Sequence, residues 1–309
     1  DKSRSVCLDQ MVSLLCLGAF YLLHSGEQRG SRLRPLMVLP LFVLAFAIRG
    51  PLGLVEVCGV VCTYWLLGES RTQEARRILF KRVLGYGFSG LLLLAACWWL
   101  LLKLAYLSGG EAFVQQVYHM QVGGRLDESG EPFYFYFQLA LYRYFPVVPL
   151  ALATLWMLRR QVFRRHADPQ LRLVLRLGAC GLMILLGLSV PHFKRAYYIL
   201  PMVPLFAAVA AYGLLQAQGW LVGVRRCYEG LVAALPALCV VVVFVCRHGW
   251  QKHGYWPDVS LPLLIGALLI LQVAAVIAWR RLVWLSAIAL VAQWLVLVTV
   301  VEPAKDLQF

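Results

Sequence analysis

The stretch 189–204 (SVPHFKRAYYILPMVP) carries basic and tyrosine side chains between two long apolar runs. Lys194 and Arg195 follow a run that ends at Pro191, and Tyr198 lies at the start of the next run. Charged side chains are costly inside a bilayer, so those that occur there are by default candidates for function. Lysine, arginine and tyrosine all donate hydrogen bonds to phosphate oxygens. The stretch therefore predicts a site for an anionic, lipid-borne ligand.

Further polar side chains are expected at the same membrane boundary, although they come from distant parts of the chain. The predicted substrate-binding set is Arg49, His119, Arg125, Arg143, Lys194, Arg195 and Tyr198. Each of them also has a simpler interpretation as an interfacial anchor that extends toward lipid headgroups. Glu56 follows Arg49 inside an apolar run, where it is either the ion-pair partner of that arginine or a catalytic base.

The composition indicates an all-α polytopic membrane protein. The chain has 309 residues, of which 61% are hydrophobic and 14% charged, with a mean hydropathy of +0.73. Soluble domains are about 45–50% apolar and about 25% charged. The apolar runs are continuous rather than alternating, which favours helices over a barrel. The net charge of +14 is attributed to topology signals in loops, so nucleic acid is not an expected partner.

Hydropathy predicts about ten transmembrane or re-entrant helices in a single helical domain over 1–309. The predicted segments are 8–23, 36–48, 52–67, 87–107, 134–157, 172–190, 197–217, 231–246, 261–278 and 283–301. The second and third of these are short for separate spans. The sequence Arg49-Gly50-Pro51 lies between them, and glycine and proline are typical of a broken or re-entrant pair.

Basic residues are richer in every second loop, and these loops are assigned to the cytoplasm. Arg49 and Lys194 then lie at the outer face, and the cytoplasmic halves of the spans are expected to be largely apolar. Residues 69–82 are predicted to form an amphipathic cytoplasmic helix that lies on the membrane surface among anionic headgroups. The alternative is a solvated loop. Residues 108–132 are predicted to form an outer, periplasmic loop with a short interfacial helix at 111–122.

Recognisable catalytic and cofactor motifs are absent from the sequence. The nine cysteines lie mostly in apolar runs, and Cys58 and Cys62 have no further ligands at the spacing of a zinc site. There is no nucleotide-binding or hydrolase motif either. No metal and no cofactor are therefore predicted, and any energy-rich substrate is expected to arrive through the membrane.

Three motifs resemble the C superfamily of membrane glycosyltransferases (GT-C), in particular protein O-mannosyltransferases and lipid A aminoarabinose transferases. IRGPLGLVE at 48–56 resembles the family's KGP-type break, with Arg49 where lysine is usual. GEPFYFYFQLALYRYFP at 130–146 is similar to its aromatic PFYYY stretch. HFKRAYYILPMVP at 192–204 resembles the K-x-x-x-Y-x-L-P segment, with Lys194 and Tyr198 at matching spacing.

The resemblance implies a GT-C-like helical bundle in a bacterial cytoplasmic membrane, with its active face toward the periplasm. It implies transfer of a sugar from a polyprenyl-phosphate donor, such as undecaprenyl phosphate, to lipid A, a protein or another envelope glycan. In the family, residues matching Arg49, Arg125, Lys194 and Tyr198 hold the lipid phosphate. His119 and Arg125 are more widely spaced here than in the family's H-x-x-R.

The general base implied by the resemblance lies in an acidic outer loop upstream of Asp1. The chain is accordingly expected to be a fragment that is inactive by itself. The alternative function is a transporter or flippase of an anionic lipid-linked substrate, which would place polar residues along facing helices across the bilayer. A third interpretation is a non-catalytic membrane scaffold.

Overall fold

The computed structural model is helical, and no strand occurs among the residues it describes. The described residues are 2–31, 33–68, 73–120, 131–162, 168–191, 194–216, 219–251, 260–279 and 281–301. The all-α prediction is confirmed for this part of the chain.

The first of two compact units extends from Asp1 to Leu215. Its helices are α1 (Lys2–Gln28), α2 (Leu33–Leu36), α3 (Val38–Arg49), α4 (Pro51–Leu66), α5 (Gln73–Tyr118), α6 (Phe135–Arg143), α7 (Val147–Val162), α8 (Pro169–Ser189) and α9 (Val203–Leu215), with a 3-10 turn at Leu200–Met202. Buried side chains from α1, α3, α4, α8 and α9 form its main core, which includes Phe42, Tyr64, Leu185 and Phe206.

The second compact unit extends from Gln216 to Phe309. It contains α10 (Leu221–Gln251), α11 (Leu261–Ile277) and α12 (Leu282–Val296), followed by a π-helical turn at Leu297–Val301. Its buried residues form two small apolar clusters of their own, one around Leu268 and one around Leu285. The prediction of a single domain over 1–309 differs from this division, because hydropathy locates helices but does not show which of them pack together.

Helices α3 and α4 form a tight hairpin that turns at Gly50. This glycine has φ +69° and ψ −153°, in the region that favours glycine, and Pro51 then begins α4. Phe42 of α3 and Cys58 of α4 both lie against Gly90 of α5, so the two helices run antiparallel. The predicted break at Arg49-Gly50-Pro51 is confirmed, and it reverses the direction of the chain.

Five helices are long and apolar enough to cross a membrane, which indicates a membrane protein. A sixth span is obtained if α6 and the first part of α7 are counted together, although they are bent by 105°. The prediction of about ten transmembrane or re-entrant helices is therefore not confirmed by the described residues. Helices such as α4 and α11 are apolar, but their 16 and 17 residues are about 24–26 Å long, less than the ~30 Å hydrocarbon core.

Helix α5 is continuous over 46 residues except for a kink at Gly109 and Gly110. Its stretch 83–102 has no charged residue and is about 30 Å long, which matches the hydrocarbon core. Arg82 stacks on Trp65 at 4.4 Å, and Lys103 stacks on Trp99 at 4.9 Å. Cation and tryptophan pairs of this kind are typical of membrane–water boundaries.

Two predicted segments belong to this same helix. The segment 69–82 is predicted from the sequence to be a separate helix on the membrane surface. Its residues 73–82 instead form the first turns of α5 and share the axis of the apolar stretch, and 69–72 lie outside the described residues. In the predicted outer loop, Gly109 and Gly110 have non-helical backbone angles, and residues 111–118 after them are helical, in agreement with the short helix predicted at 111–122; 121–130 are not described. At its N-terminal end α5 thus extends beyond the apolar stretch into polar sequence, whereas at the other end the two glycines interrupt it.

Candidate functional site

A buried ionic cluster lies at the tip of the α3–α4 hairpin. The Arg49 guanidinium lies with its Nε 3.0 Å from Asp9 Oδ1, and its Nη1 lies 3.0 and 3.1 Å from the two carboxylate oxygens of Glu56. Only 7% of the Arg49 side chain is exposed, with 4% for Asp9 and 3% for Glu56. Arg49 also stacks over the Tyr198 ring at 4.3 Å. We refer to these four residues as the Arg49 cluster.

The hairpin explains how the cluster forms. The turn at Gly50 points the last side chain of α3 back along the first two turns of α4, which places Arg49 beside Glu56. Gly18 of α1 contacts Leu41 of α3, so α1 runs antiparallel to α3 and brings Asp9 to the same level. The predicted Arg49–Glu56 ion pair is confirmed, although the intervening chain is a hairpin rather than an unbroken helix.

A cavity of about 360 Å³ adjoins the Arg49 cluster. Its walls include Asp9, Arg49, Tyr197, Tyr198 and Leu101 of α5. Arg49 Nη2 is buried, and it has no hydrogen-bond partner in the part of the chain that the structure describes. The cavity therefore has on its wall a carboxylate, an arginine with one uncommitted donor group and two tyrosines.

Two predicted cations, Lys194 and Arg195, precede the cavity-lining Tyr197 and Tyr198 in the sequence, and neither lines the cavity. Arg195 Nη1 donates to the hydroxyl of Tyr197 at 2.7 Å, and Lys194 Nζ donates to the backbone oxygen of Glu131 at 2.8 Å. Partial burial lowers the pKa of the Lys194 ammonium, and the Glu131 carboxylate opposes that shift. The hydroxyl of Tyr136 fixes the backbone of Arg195 through contacts of 3.1 and 3.2 Å to its N–H and C=O groups.

The structure thus brings together only part of the predicted set. Arg49 and Tyr198 are in contact, and Lys194 and Arg195 lie four and three residues before Tyr198 in the same loop segment. His119 lies exposed just beyond the end of α5, and Arg143 lies exposed at the end of α6. Neither of these two residues lines the cavity. Arg125 lies outside the described residues.

The charges of the Arg49 cluster are nearly balanced. One arginine faces two carboxylates, so the cluster carries a formal charge of −1 when both are ionised. Arg49 therefore does not act as an isolated positive charge toward an anion. Its Nη2 group is the donor that remains for an anion, whereas Lys194 and Arg195 add positive charge a few residues before Tyr197 and Tyr198 without lining the cavity.

A second polar cluster lies at the other end of the same unit. Arg176 of α8 pairs with Glu27 of α1, and both contact the hydroxyl of Tyr64 of α4. Arg176 Nε also donates to the backbone oxygen of Leu67 at 3.3 Å, and His24 lies 3.4 Å from the Tyr64 hydroxyl. We refer to Glu27, Tyr64 and Arg176 as the Arg176 cluster. This cluster is an exception to the expectation that the cytoplasmic halves of the spans are largely apolar.

The two clusters lie near opposite membrane boundaries. Asp9 and Glu27 are both on α1, about 27 Å apart along the helix. Leu101 lines the Arg49 cavity and is close to Lys103, whereas Trp65 follows Tyr64 and stacks with Arg82. The core between the clusters contains apolar side chains such as Phe20, Val60 and Ile184.

Asp9, Glu27 and Arg176 were not predicted as functional residues. Each is an ionisable residue within or at the edge of an apolar run, and that property alone is the signal that could have found them. Their ion-pair partners are distant in sequence, with a separation of 40 residues for Asp9 and Arg49 and of 149 for Glu27 and Arg176. Pairing at such distances follows from helix packing and cannot be obtained from local spacing.

Comparisons of the chain with protein-family models, curated proteins and solved structures find no match. Within the described residues, no group of three or more histidine, cysteine, aspartate or glutamate side chains could hold a metal ion. The interpretation of the site therefore rests on the chemistry and placement of the Arg49 cluster and its cavity.

Proposed function

We propose that this chain is the membrane-embedded part of a glycosyltransferase that uses a polyprenyl-phosphate sugar as donor. The donor would enter from the lipid, with its phosphate at the Arg49 cavity and its sugar toward the outer face. A lipid or protein of the cell envelope would be the acceptor. This is the function suggested by the resemblance of 48–56, 130–146 and 192–204 to the C superfamily of membrane glycosyltransferases.

One observation carries the proposal. The α3–α4 hairpin and α1 bring Arg49 and Asp9 together with Tyr198 beside a 360 Å³ cavity near a membrane boundary. A lipid-linked sugar phosphate is a phosphodiester with a single negative charge. One uncommitted guanidinium nitrogen matches this single charge better than it matches the larger charge of a diphosphate or a nucleotide.

The arrangement suits direct displacement at the anomeric carbon. An acceptor oxygen forms the new bond to that carbon while the bond from carbon to the phosphate oxygen breaks, releasing polyprenyl phosphate. Asp9 is the acid on the cavity wall, so we assign it the role of accepting the proton from the acceptor hydroxyl. Arg49 Nη2 and the Tyr198 hydroxyl stabilise the departing phosphate. Glu56 does not line the cavity and orients Arg49.

A transporter of an anionic lipid-linked substrate is the second candidate, because the Arg176 cluster provides a second set of charges at the opposite boundary. A transport path needs polar groups between its two ends. In the described core those positions are held by residues such as Phe20, Val60 and Ile184. This apolar layer favours an enzyme that acts at one face.

Sugar transfer from a radiolabelled polyprenyl-phosphate donor tests the proposal in the full-length protein reconstituted in lipid vesicles. Asp9→Asn keeps the size of the side chain but removes the base, so we expect kcat to fall by about 100-fold with donor affinity retained. Tyr198→Phe removes one donor group to the phosphate, and transfer is expected to fall by about tenfold.

Arg176→Gln is the control because it removes an equally buried arginine that pairs with a carboxylate and does not line the cavity. Transfer per folded molecule should remain within about twofold of wild type. Wild-type transfer by Asp9→Asn would contradict the proposal. Movement of the polyprenyl-phosphate sugar across the vesicle membrane without sugar transfer would contradict it as well. The second of these results would favour the transporter.

A further inference from the structure

A groove at the boundary opposite the Arg49 cluster is lined by cations and aromatic side chains. It lies between the end of α4 and the start of α5 and has a volume of about 900 Å³. The residues on its walls include Trp65, Gln73, Glu74, Arg76, Arg77 and Phe80. None of these residues has a role in the proposed sugar transfer.

We propose that this groove binds the phosphate headgroup of an anionic membrane phospholipid. Arg76 and Arg77 both line it and both are exposed. No ion pair or hydrogen bond engages their guanidinium groups in the part of the chain that the structure describes. Arginine binds phosphate oxygens through paired N–H groups, so two adjacent arginines offer more donors than a single phosphate requires.

The level of the groove fits a lipid headgroup. Trp65 forms part of its wall and stacks with Arg82, at the position where the charge-free stretch of α5 begins. Leu79 and Phe80 add apolar surface on the side toward that stretch. A ligand with a phosphate at the boundary and hydrocarbon below it would contact both parts, whereas a soluble phosphate would use only the arginines.

Two further groups on the walls influence the binding. The Trp65 indole Nε1 is buried and lacks an acceptor among the described residues, so a small rotation would allow it to donate to a headgroup oxygen. The Glu74 carboxylate also lines the groove and repels an anion. It offsets part of the arginine charge, so the groove should bind an anionic headgroup more weakly than it would without Glu74.

Native mass spectrometry of the detergent-solubilised full chain tests the proposal by titration with phosphatidylglycerol and, separately, with phosphatidylcholine. Wild type is expected to prefer phosphatidylglycerol, and Arg76→Gln/Arg77→Gln is expected to bind it about tenfold more weakly. Glu74→Gln should bind it more tightly. The singles Arg76→Gln and Arg77→Gln, each expected to lose about threefold, replace the double variant if it fails to fold.

Lys81→Gln/Arg226→Gln is the matched control, because it removes two exposed positive charges that do not line the groove. Its phosphatidylglycerol affinity should stay within about twofold of wild type. An equal loss in this control would indicate diffuse surface attraction and overturn the proposal. Full displacement of the lipid by millimolar inorganic phosphate would overturn it as well, in favour of a soluble ligand. Neither result depends on glycosyl transfer.

Discussion

Arg49 is held by two carboxylates, so its role is set by the one nitrogen that they leave uncommitted. Burying an arginine between Asp9 and Glu56 costs solvation energy, and replacement of such clusters by apolar residues is often neutral or stabilising. A purely structural explanation is therefore weak. If Arg49 has to hold an anion in the cavity, the two carboxylates are needed to keep its guanidinium in a fixed orientation, which is a physical reason for all three charges.

At the opposite boundary, the Arg176 cluster provides a direct test of the ion-pair geometry. Glu27→Gln removes the carboxylate and leaves the Arg176 guanidinium, which is only 7% exposed, without its counter-charge. Because 39% of the Glu27 side chain is exposed, solvent screens the pair, and we expect a loss of about 1–2 kcal/mol in the free energy of unfolding. Unfolding by sodium dodecyl sulfate in mixed micelles measures this change in the free energy of unfolding.

Glu229→Gln is the control for this substitution. Glu229 pairs with Arg225 one turn away on α10 at 2.7 Å, within a single helix and with greater exposure of the arginine. Its loss should cost less than about 0.5 kcal/mol. Equal effects of the two substitutions would show that the Glu27–Arg176 contact does not stabilise the unit.

Sequence reasoning at the residue scale located Arg49, Glu56 and Tyr198 because a helix break and a motif lie next to them. It did not locate Asp9, which has no distinctive neighbour in the sequence. Asp9 acquires its role from α1 packing antiparallel to α3, and no local pattern encodes that contact.

The α3–α4 hairpin is the element on which the site depends. A Cβ atom at Gly53 would lie 2.5 Å from the backbone oxygen of Ala45, so Gly53→Ala must push the two helices apart. We expect a loss of about 1–3 kcal/mol in the free energy of unfolding, together with reduced sugar transfer because Arg49 moves. Unfolding in mixed micelles and the transfer assay measure the two effects.

Gly59→Ala is the matched control in the same helix. The nearest atom to its added Cβ is on the flexible side chain of Met183 at 3.7 Å, an ordinary contact. Helix propensity then favours alanine, so stability should stay the same or rise by up to about 1 kcal/mol. A larger loss at Gly59 than at Gly53 would contradict the tight hairpin.

A proline in α10 is compensated by a neighbouring helix. Pro236 interrupts the hydrogen bonding of α10, and the Gln272 side chain accepts from Ala237 N at 3.0 Å and donates to Ala233 O at 3.1 Å. Those two backbone groups would bond to each other in an undistorted helix. Gln272 therefore satisfies polar groups that lipid cannot.

Gln272→Leu is expected to lower the free energy of unfolding by about 1–2 kcal/mol, because two hydrogen bonds are lost. In a Pro236→Ala background the helix can close its own bonds, so the same substitution should cost less than half as much. A double-mutant cycle in mixed micelles measures the coupling. Additive effects of the two changes would show that Gln272 does not act through the kink.

Hydropathy predicted the positions of the apolar elements well, and every predicted segment overlaps a helix of the structure. It did not predict where a segment bends or where a helix continues beyond its apolar stretch. The span predicted at 134–157 is divided into α6 and α7, which are bent by 105°, and the helix predicted at 69–82 is in part the beginning of α5. Bends and continuations depend on packing and on helix ends, to which hydropathy averages are insensitive.

At the scale of the whole molecule, the first unit has charged clusters at two membrane boundaries and an apolar core between them. This distribution suits chemistry at the Arg49 cluster alone. The Arg176 cluster, at the opposite boundary, holds α1, α4 and α8 together. The central claim is accordingly that the first unit binds a lipid-linked phosphate at Arg49.

Direct binding of polyprenyl phosphate to the full chain in lipid nanodiscs tests that claim most directly. Wild type should bind it, Arg49→Gln should bind it at least about tenfold more weakly, and Arg176→Gln should match wild type. Both substitutions remove a buried arginine, so a difference between them reports on the site rather than on folding. Equal binding by wild type and Arg49→Gln would contradict the account.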